Sequence, residues 1–200
     1  MLTPLLDASA NEYWLFHGCD HGILRVLIEK GYDPRVSSLD GMFGGGFYLA
    51  ENSSKSNQYI PCSGCGRNAI SRKEGCVCKN QEDLEFTMVV YRATLGDIHV
   101  AKMYDEKTYR KGEKTCRVRR PPFKNGTNEL YDSVMGESKK HGGNLLQYRE
   151  CILYDPSQAY PEYVIQFKRS AMNARAPSDI QRVKDRCRHF LKNTFNKNAD

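Results

Sequence analysis

GMFGGGFYLAENSSKSNQY, residues 41–59, packs four glycines into six positions, then an aromatic pair, then a polar turn that opens onto a short helix. Glycine loses more conformational freedom on folding than any other residue, so a cluster of it needs a cause. Two causes are available: a tight loop that only reverses the chain, or a bulky group that must lie against bare backbone. The run is no known phosphate fingerprint. It lacks the GK[ST] of a P-loop, and it opens no strand–helix unit of the dinucleotide-binding type.

Outward from this stretch, residues 13–17 (YWLFH) have the aromatic density of a buried strand. Ile23, Val26, Leu27 and Lys30 follow helical spacing, and Gly31 is placed to end that helix. Asn52 or Ser53 caps a short helix running to Tyr59. Residues 86–95 (FTMVVYRATL), 151–154 (CILY) and 163–167 (YVIQF) read as strands. Residues 110–144 are polar and rich in Gly and Lys, and read as mostly surface loop. After Pro177, Ser178 and Gln181 form a capping box, and Ile180, Val183, Cys187, Phe190 and Leu191 mark an amphipathic helix. Strands among short helices, without a βαβ rhythm, predict an α+β domain with antiparallel sheets.

At 200 residues, with 40% apolar and 10% aromatic content, the chain is long enough for one domain with a proper core. No apolar run reaches membrane-spanning length, and the N-terminus lacks the positive region of a secretory signal, so no membrane and an intracellular place, nuclear or cytoplasmic, are expected. The net charge is +6, and residues 168–200 carry all of that excess. Any nucleic-acid or polyanion contact therefore has to rest on this tail.

Three blocks occur in order: LFHG at 15–18, the glycine stretch at 41–59, and YRECILYDPSQAYPEYVI at 148–165. Together they resemble the catalytic domain of the poly(ADP-ribose) polymerases over residues 12–168. ENSSKSNQY and QAYPEY are similar to the tankyrase-type members in particular. The resemblance implies the ADP-ribosyltransferase fold: two packed, mainly antiparallel β-sheets with flanking short helices and an inserted zinc-binding loop. It divides the chain into a catalytic domain at 1–169, with the insertion at 61–80, and a basic amphipathic tail at 170–200. It also implies NAD+ as substrate and protein acceptors as partners, with the glycines letting backbone approach the nicotinamide end.

In that family the catalytic triplet is His, Tyr and Glu, which here falls on His17, Tyr48 and Glu150. The resemblance gives His17 a hydroxyl of the adenosine-side ribose. It sets Tyr48 and Tyr59 as rings on either face of the nicotinamide, a geometry suited to aromatic stacking. Ser56 and the Gly18 backbone would hold the carboxamide, and Lys55 would line the acceptor side. A carboxylate at Glu150 suits the chemistry: breaking the nicotinamide–ribose bond builds positive charge on the sugar, as in glycoside hydrolysis. A glutamate there is also compatible with chain growth. Cys19 stands where a serine is common. The 32–40 loop keeps only Asp33, Arg35 and flanking glycines of its tankyrase counterpart, and Arg35 and Ser37 are candidate NAD contacts there.

Each of these residues alone has a plainer reading. His17 could be a satisfied core histidine, Tyr48 and Tyr59 core aromatics, and Glu150 a strand-edge charge. Four of the eight cysteines, Cys62, Cys65, Cys76 and Cys78, crowd together as C-x2-C-x10-C-x-C. Without a secretory signal the cluster reads as a metal site rather than disulfides. The resemblance places a small structural zinc at this point, closed by four thiolates; a reduced surface loop is the alternative. With about a dozen residues before LFHG, a helical regulatory domain, ankyrin repeats and a SAM domain are expected to be absent. The expected activity is transfer of ADP-ribose from NAD+ to protein with chain growth. The alternatives are transfer of a single unit, or a silent module that binds NAD or ADP-ribose.

Overall fold

The computed structural model describes residues 6–39, 41–68, 78, 84–109 and 118–169. Cys76, the 110–117 stretch and the whole 170–200 tail, with its capping box, amphipathic helix and basic excess, lie outside the described residues.

The described strands form one seven-stranded sheet. β1 is Glu12–His17, β2 Phe47–Ala50, β3 Glu85–Thr94, β4 Ile98–Ala101, β5 Ser133–Gly136, β6 Glu150–Leu153 and β7 Ala159–Lys168, in the order β4-β5-β6-β2-β1-β3-β7. This corrects the expectation of two packed sheets. The pairing is antiparallel throughout except for parallel β4–β5. Two parts of it, β4-β5-β6-β2 and β1-β3-β7, are joined through a single pair, Phe16 opposite Ala50. By contrast β1 and β3 pair at six positions. β3 and β7 pair along almost their whole length, with a bulge where β7 carries Pro161, a residue with no N–H to give the ladder.

The reading of residues 110–144 as mostly surface loop needs one amendment among the described residues, because β5 lies inside it with Ser133, Val134 and Gly136 buried. A four-residue strand has too few alternations to declare itself. It is a strand because β4 and β6 flank it and use its backbone on both sides. Its buried hydroxyl at Ser133 donates to Leu95 O at 2.7 Å, so that group is not left bare.

α1, His21–Lys30, is capped by the Asp20 carboxylate accepting from Gly22 N–H, and ends at Gly31 with φ 74°. Its buried residues are Leu24 and Leu27, whereas Ile23 and Val26 are half exposed. Leu24 and Leu27 pack with Leu15, Phe47, Leu49, Val89, Tyr91 and Ala93, forming the core on one face of the sheet. Phe43, Ala101, Tyr109, Val134, Ile152 and Tyr154 form a second cluster. β6 supplies Cys151 and Leu153 to the first and Ile152 to the second, the period-two alternation of a strand covered on both faces. Its first residue, Glu150, is therefore carried on one of the most enclosed strands of the fold.

α2, Ser53–Asn57, is a five-residue helix whose N-cap Asn52 accepts from Ser54 N–H at 2.8 Å. It follows β2 directly and turns its Ser56 face toward β1.

Candidate active site

The meagre join between β1 and β2 leaves a cleft. Its walls are His17 and Gly18 at the end of β1; Tyr48, Leu49 and Ala50 of β2; Lys55, Ser56 and Tyr59 of α2 and the turn after it; and Glu150 of β6. Three stretches far apart in sequence, 17–18, 48–59 and 150, thus bring His17, Gly18, Tyr48, Lys55, Ser56, Tyr59 and Glu150 to one place.

His17 Nδ1 lies 2.9 Å from Tyr48 O. A carbonyl can only accept, so Nδ1 carries the proton and Nε2 presents its lone pair. Burial pushes the His17 pKa below the ordinary 6.5, with the Tyr48 carbonyl pulling the other way, and the ring is neutral near pH 7. The imidazole rests 4.5 Å from the Phe47 ring, which in turn stacks on Tyr32 at 4.7 Å.

The glycine run closes around Tyr48. Its hydroxyl accepts from Phe43 N–H at 2.9 Å and donates to Gly44 O at 2.8 Å, so the loop is wrapped over a phenol of its own strand. A Cβ at Gly41 would run into that hydroxyl. Gly18 is needed for the same kind of reason on the opposite wall, where a Cβ would collide with the Ser56 carbonyl. Ser56 Oγ donates to Phe16 O at 2.8 Å, which pins α2 to β1 and leaves the hydroxyl oxygen as an acceptor toward the cleft.

Glu150 is buried and pairs through Oε1 with Lys55 Nζ at 2.5 Å. Among the described residues its Oε2 has no partner. Burial is the largest single influence on Lys55 and disfavours its charge, but the hydrogen bond and charge of Glu150, with Tyr59 beside it, together outweigh burial and hold the Lys55 pKa above its ordinary 10.5. The ammonium also sits 5.2 Å above the Tyr59 ring, whose residue is 42% exposed and open on the cleft side. Cys19 packs against the core instead. Burial, and then the neighbouring Asp20, push its thiol up to about 11, so it is uncharged.

Arg35 and Ser37 lie outside the cleft walls. Arg35 is exposed and forms a bidentate pair with Asp33, at 2.7 Å for the shortest contact. Ser37 Oγ donates to Pro34 O at 2.8 Å. Arg119, which sequence reasoning passed over, donates to Pro34 O, Ser37 O and Ser37 Oγ and ties the 32–39 loop to the 118–120 segment. Arg149, also passed over, makes a fork to Glu137 beside Glu150. Adjacency to Glu150 in the chain was its one sequence signal.

Cys62, Cys65 and Cys78 bring their sulfurs within 4.8 Å of one another, with Cys62 buried. Cys62 and Cys78 sulfurs are 3.9 Å apart, far beyond a disulfide bond. Three soft donors converging on one point fit a thiolate-bound zinc.

Comparison with known proteins gives the family. The human and mouse proteins named protein mono-ADP-ribosyltransferase PARP11 are each 24% identical to the chain over 167 residues, which is 78% of this chain. The chain covers 41% of the human relative and 42% of the mouse one, less than half of each. The family model of the poly(ADP-ribose) polymerase catalytic domain matches residues 6–169, and the chain belongs to that family.

Proposed function

We propose that the chain is an NAD-dependent ADP-ribosyltransferase that breaks the nicotinamide–ribose bond and passes ADP-ribose to a protein acceptor. The observation that carries this is the convergence of His17, Tyr48 and Glu150, with Gly18, Ser56 and Tyr59, on one cleft. The family match over residues 6–169 supports it.

In this reading the nicotinamide lies between Tyr48 and the exposed face of Tyr59. The Gly18 backbone and the Ser56 oxygen take the carboxamide. His17 Nε2, deprotonated by the tautomer that Tyr48 O imposes, accepts from a ribose hydroxyl of the adenosine side. Glu150 Oε2 accepts from the 2′-hydroxyl of the other ribose. As the bond from C1 of that ribose to the pyridinium nitrogen breaks, its electron pair passes to the ring, which leaves as neutral nicotinamide. Positive charge then grows on the sugar beside the Glu150 carboxylate. An acceptor nucleophile bonds to C1 and sheds its proton.

Transfer of one unit is the favoured outcome, because the relatives in hand are named mono-ADP-ribosyltransferases. Chain growth is the second reading. Glu150 itself favours it, together with the tankyrase-type ENSSKSNQY and QAYPEY segments. Incubation with labelled NAD separates these: a single shift supports one unit, ladders support polymer, and no label refutes transferase activity.

Zinc held by Cys62, Cys65 and Cys78, with Cys76 as the fourth thiolate, would act as a structural cross-link with no open position for chemistry. Metal analysis of the purified chain tests this: one zinc per chain supports it and none refutes it.

A further inference from the structure

A second charged cluster stands at the same end of the sheet as Glu150 and belongs to none of the cleft walls. Register places Glu150 between Ala50 of β2 and Gly136 of β5. One residue beyond, all three strands have ended, and Arg149 lies between Glu51 and Glu137. Its guanidinium gives Nε to Glu137 Oε1 at 2.8 Å and a terminal nitrogen to Glu137 Oε2 at 3.1 Å. The other terminal nitrogen reaches Glu51 Oε1 at 3.2 Å. A planar fork of this kind fixes direction as well as distance, which a lysine ammonium does not.

Glu137 is itself firmly rooted. It is 5% exposed, its Oε1 accepts Ser138 N–H at 2.8 Å, and its backbone N–H donates to Ala101 O at 3.0 Å. The clamp therefore ties the ends of β2 and β6 to the β4–β5 side of the sheet. Backbone pairing stops at Glu150, so these side-chain bonds are what hold the chain where the ladder no longer does.

We propose that Arg149 is a positioning residue for Glu150: by joining Glu51 and Glu137 across the ends of three strands, it fixes the first residue of β6 against the cleft. This rests on the transferase reading above. Arg149 touches no substrate, and its effect runs through the placement of Glu150. Misplacing a reacting group by about 1 Å costs on the order of 10²-fold in rate.

The test is a set of full-chain variants. Arg149→Met should lower kcat roughly 10- to 100-fold while the KM for NAD stays within about twofold, because the Glu150 contact is used in the transition state. Arg149→Lys, which keeps the charge and loses the fork, should recover part of the loss. Glu51→Gln should be mild, since Glu51 is 46% exposed. Arg149→Met takes the fork from buried Glu137, leaving it Ser138 N–H and His141 Nδ1 at 3.7 Å, and endangers folding, so the double variant Arg149→Met/Glu137→Gln removes that buried charge. It should keep the parent Tm yet keep the kcat loss. Full kcat in the folded double variant, or a kcat loss matched by an equal loss of folded protein, would overturn the proposal.

A readout independent of activity is hydrogen exchange. The double variant should speed exchange of the Glu150 and Cys151 amides and leave α1 unchanged; unchanged exchange at Glu150 would refute the clamp. If the parent chain transfers no ADP-ribose at all, the transferase reading fails, and the exchange result still decides the positioning claim.

Discussion

β1 has two seams, and they could hardly differ more. Toward β3 it pairs at six consecutive positions, from Glu12 opposite Thr94 to His17 opposite Val89. Toward β2 it pairs once, at Phe16 and Ala50. The first seam is covered by α1 and core side chains. The second is where His17, Tyr48, Ser56 and Glu150 gather. Pairing and ligand access compete for the same space: a continuous ladder at the second seam would fill the gap in which a flat ring could lie. The backbone left unpaired there is handled locally, with Ser56 bonding Phe16 O and His17 bonding Tyr48 O.

Four substitutions test the difference between the two seams. The largest effect is expected from Glu150→Gln at the open seam. It should lower transfer on the order of 10²–10³-fold with little change in Tm, read by a labelled-NAD time course. A comparably active variant would remove Glu150 from the chemistry.

Next is Gly18→Ala. Its methyl meets the Ser56 carbonyl, which α2 cannot easily withdraw while Ser56 holds Phe16 O. Overpacking of this kind costs about 1–3 kcal/mol, and thermal unfolding should show it together with weakened NAD binding. A neutral alanine would mean that the seam yields freely.

Arg119→Ala releases the 32–39 loop from the 118–120 segment. Losing hydrogen bonds worth about 0.5–1.5 kcal/mol each should raise the KM for NAD roughly 2- to 10-fold, with kcat nearly unchanged. An unaltered KM would separate that loop from donor binding.

The smallest effect concerns His17. Its folded pKa lies below the unfolded value of about 6.5, so its contribution to stability is fully present above pH 6.5 and is lost as pH falls through the lower folded value. Tm measured against pH should therefore fall less on the acid side in His17→Gln than in the parent chain. Parallel curves would show that His17 is not held neutral by burial.

The residues around the open seam were legible in the sequence because their motifs are contiguous: LFHG, the glycine run and the segment ending in QAYPEY each carry their own spacing. The seam itself was not. Nothing in the sequence says that β1 and β2 touch once, because register is set by how strands meet and not by their composition. β5 was hidden in a polar stretch, where Val134 and Met135 are its apolar residues. The helix was recognised but its buried face was not. Ile23, Leu24, Val26, Leu27 and Ile28 leave almost every side of α1 apolar, and only packing selects Leu24 and Leu27. The Arg149 clamp joins positions 98 and 12 residues apart, a relation visible only once β2, β6 and β5 stand side by side.

The central claim is that the donor occupies the gap beside the single β1–β2 pair. Its most direct test is a crystal structure of the chain with a non-hydrolysable NAD analogue. The carboxamide is expected within hydrogen-bond distance of the Gly18 backbone and Ser56 Oγ, the ring between Tyr48 and Tyr59, and Glu150 on the adjoining ribose. An analogue whose nicotinamide end lay in the neighbouring cavity bounded by Asp20, His21 and Glu85, with the Tyr48–Tyr59 gap empty, would contradict it.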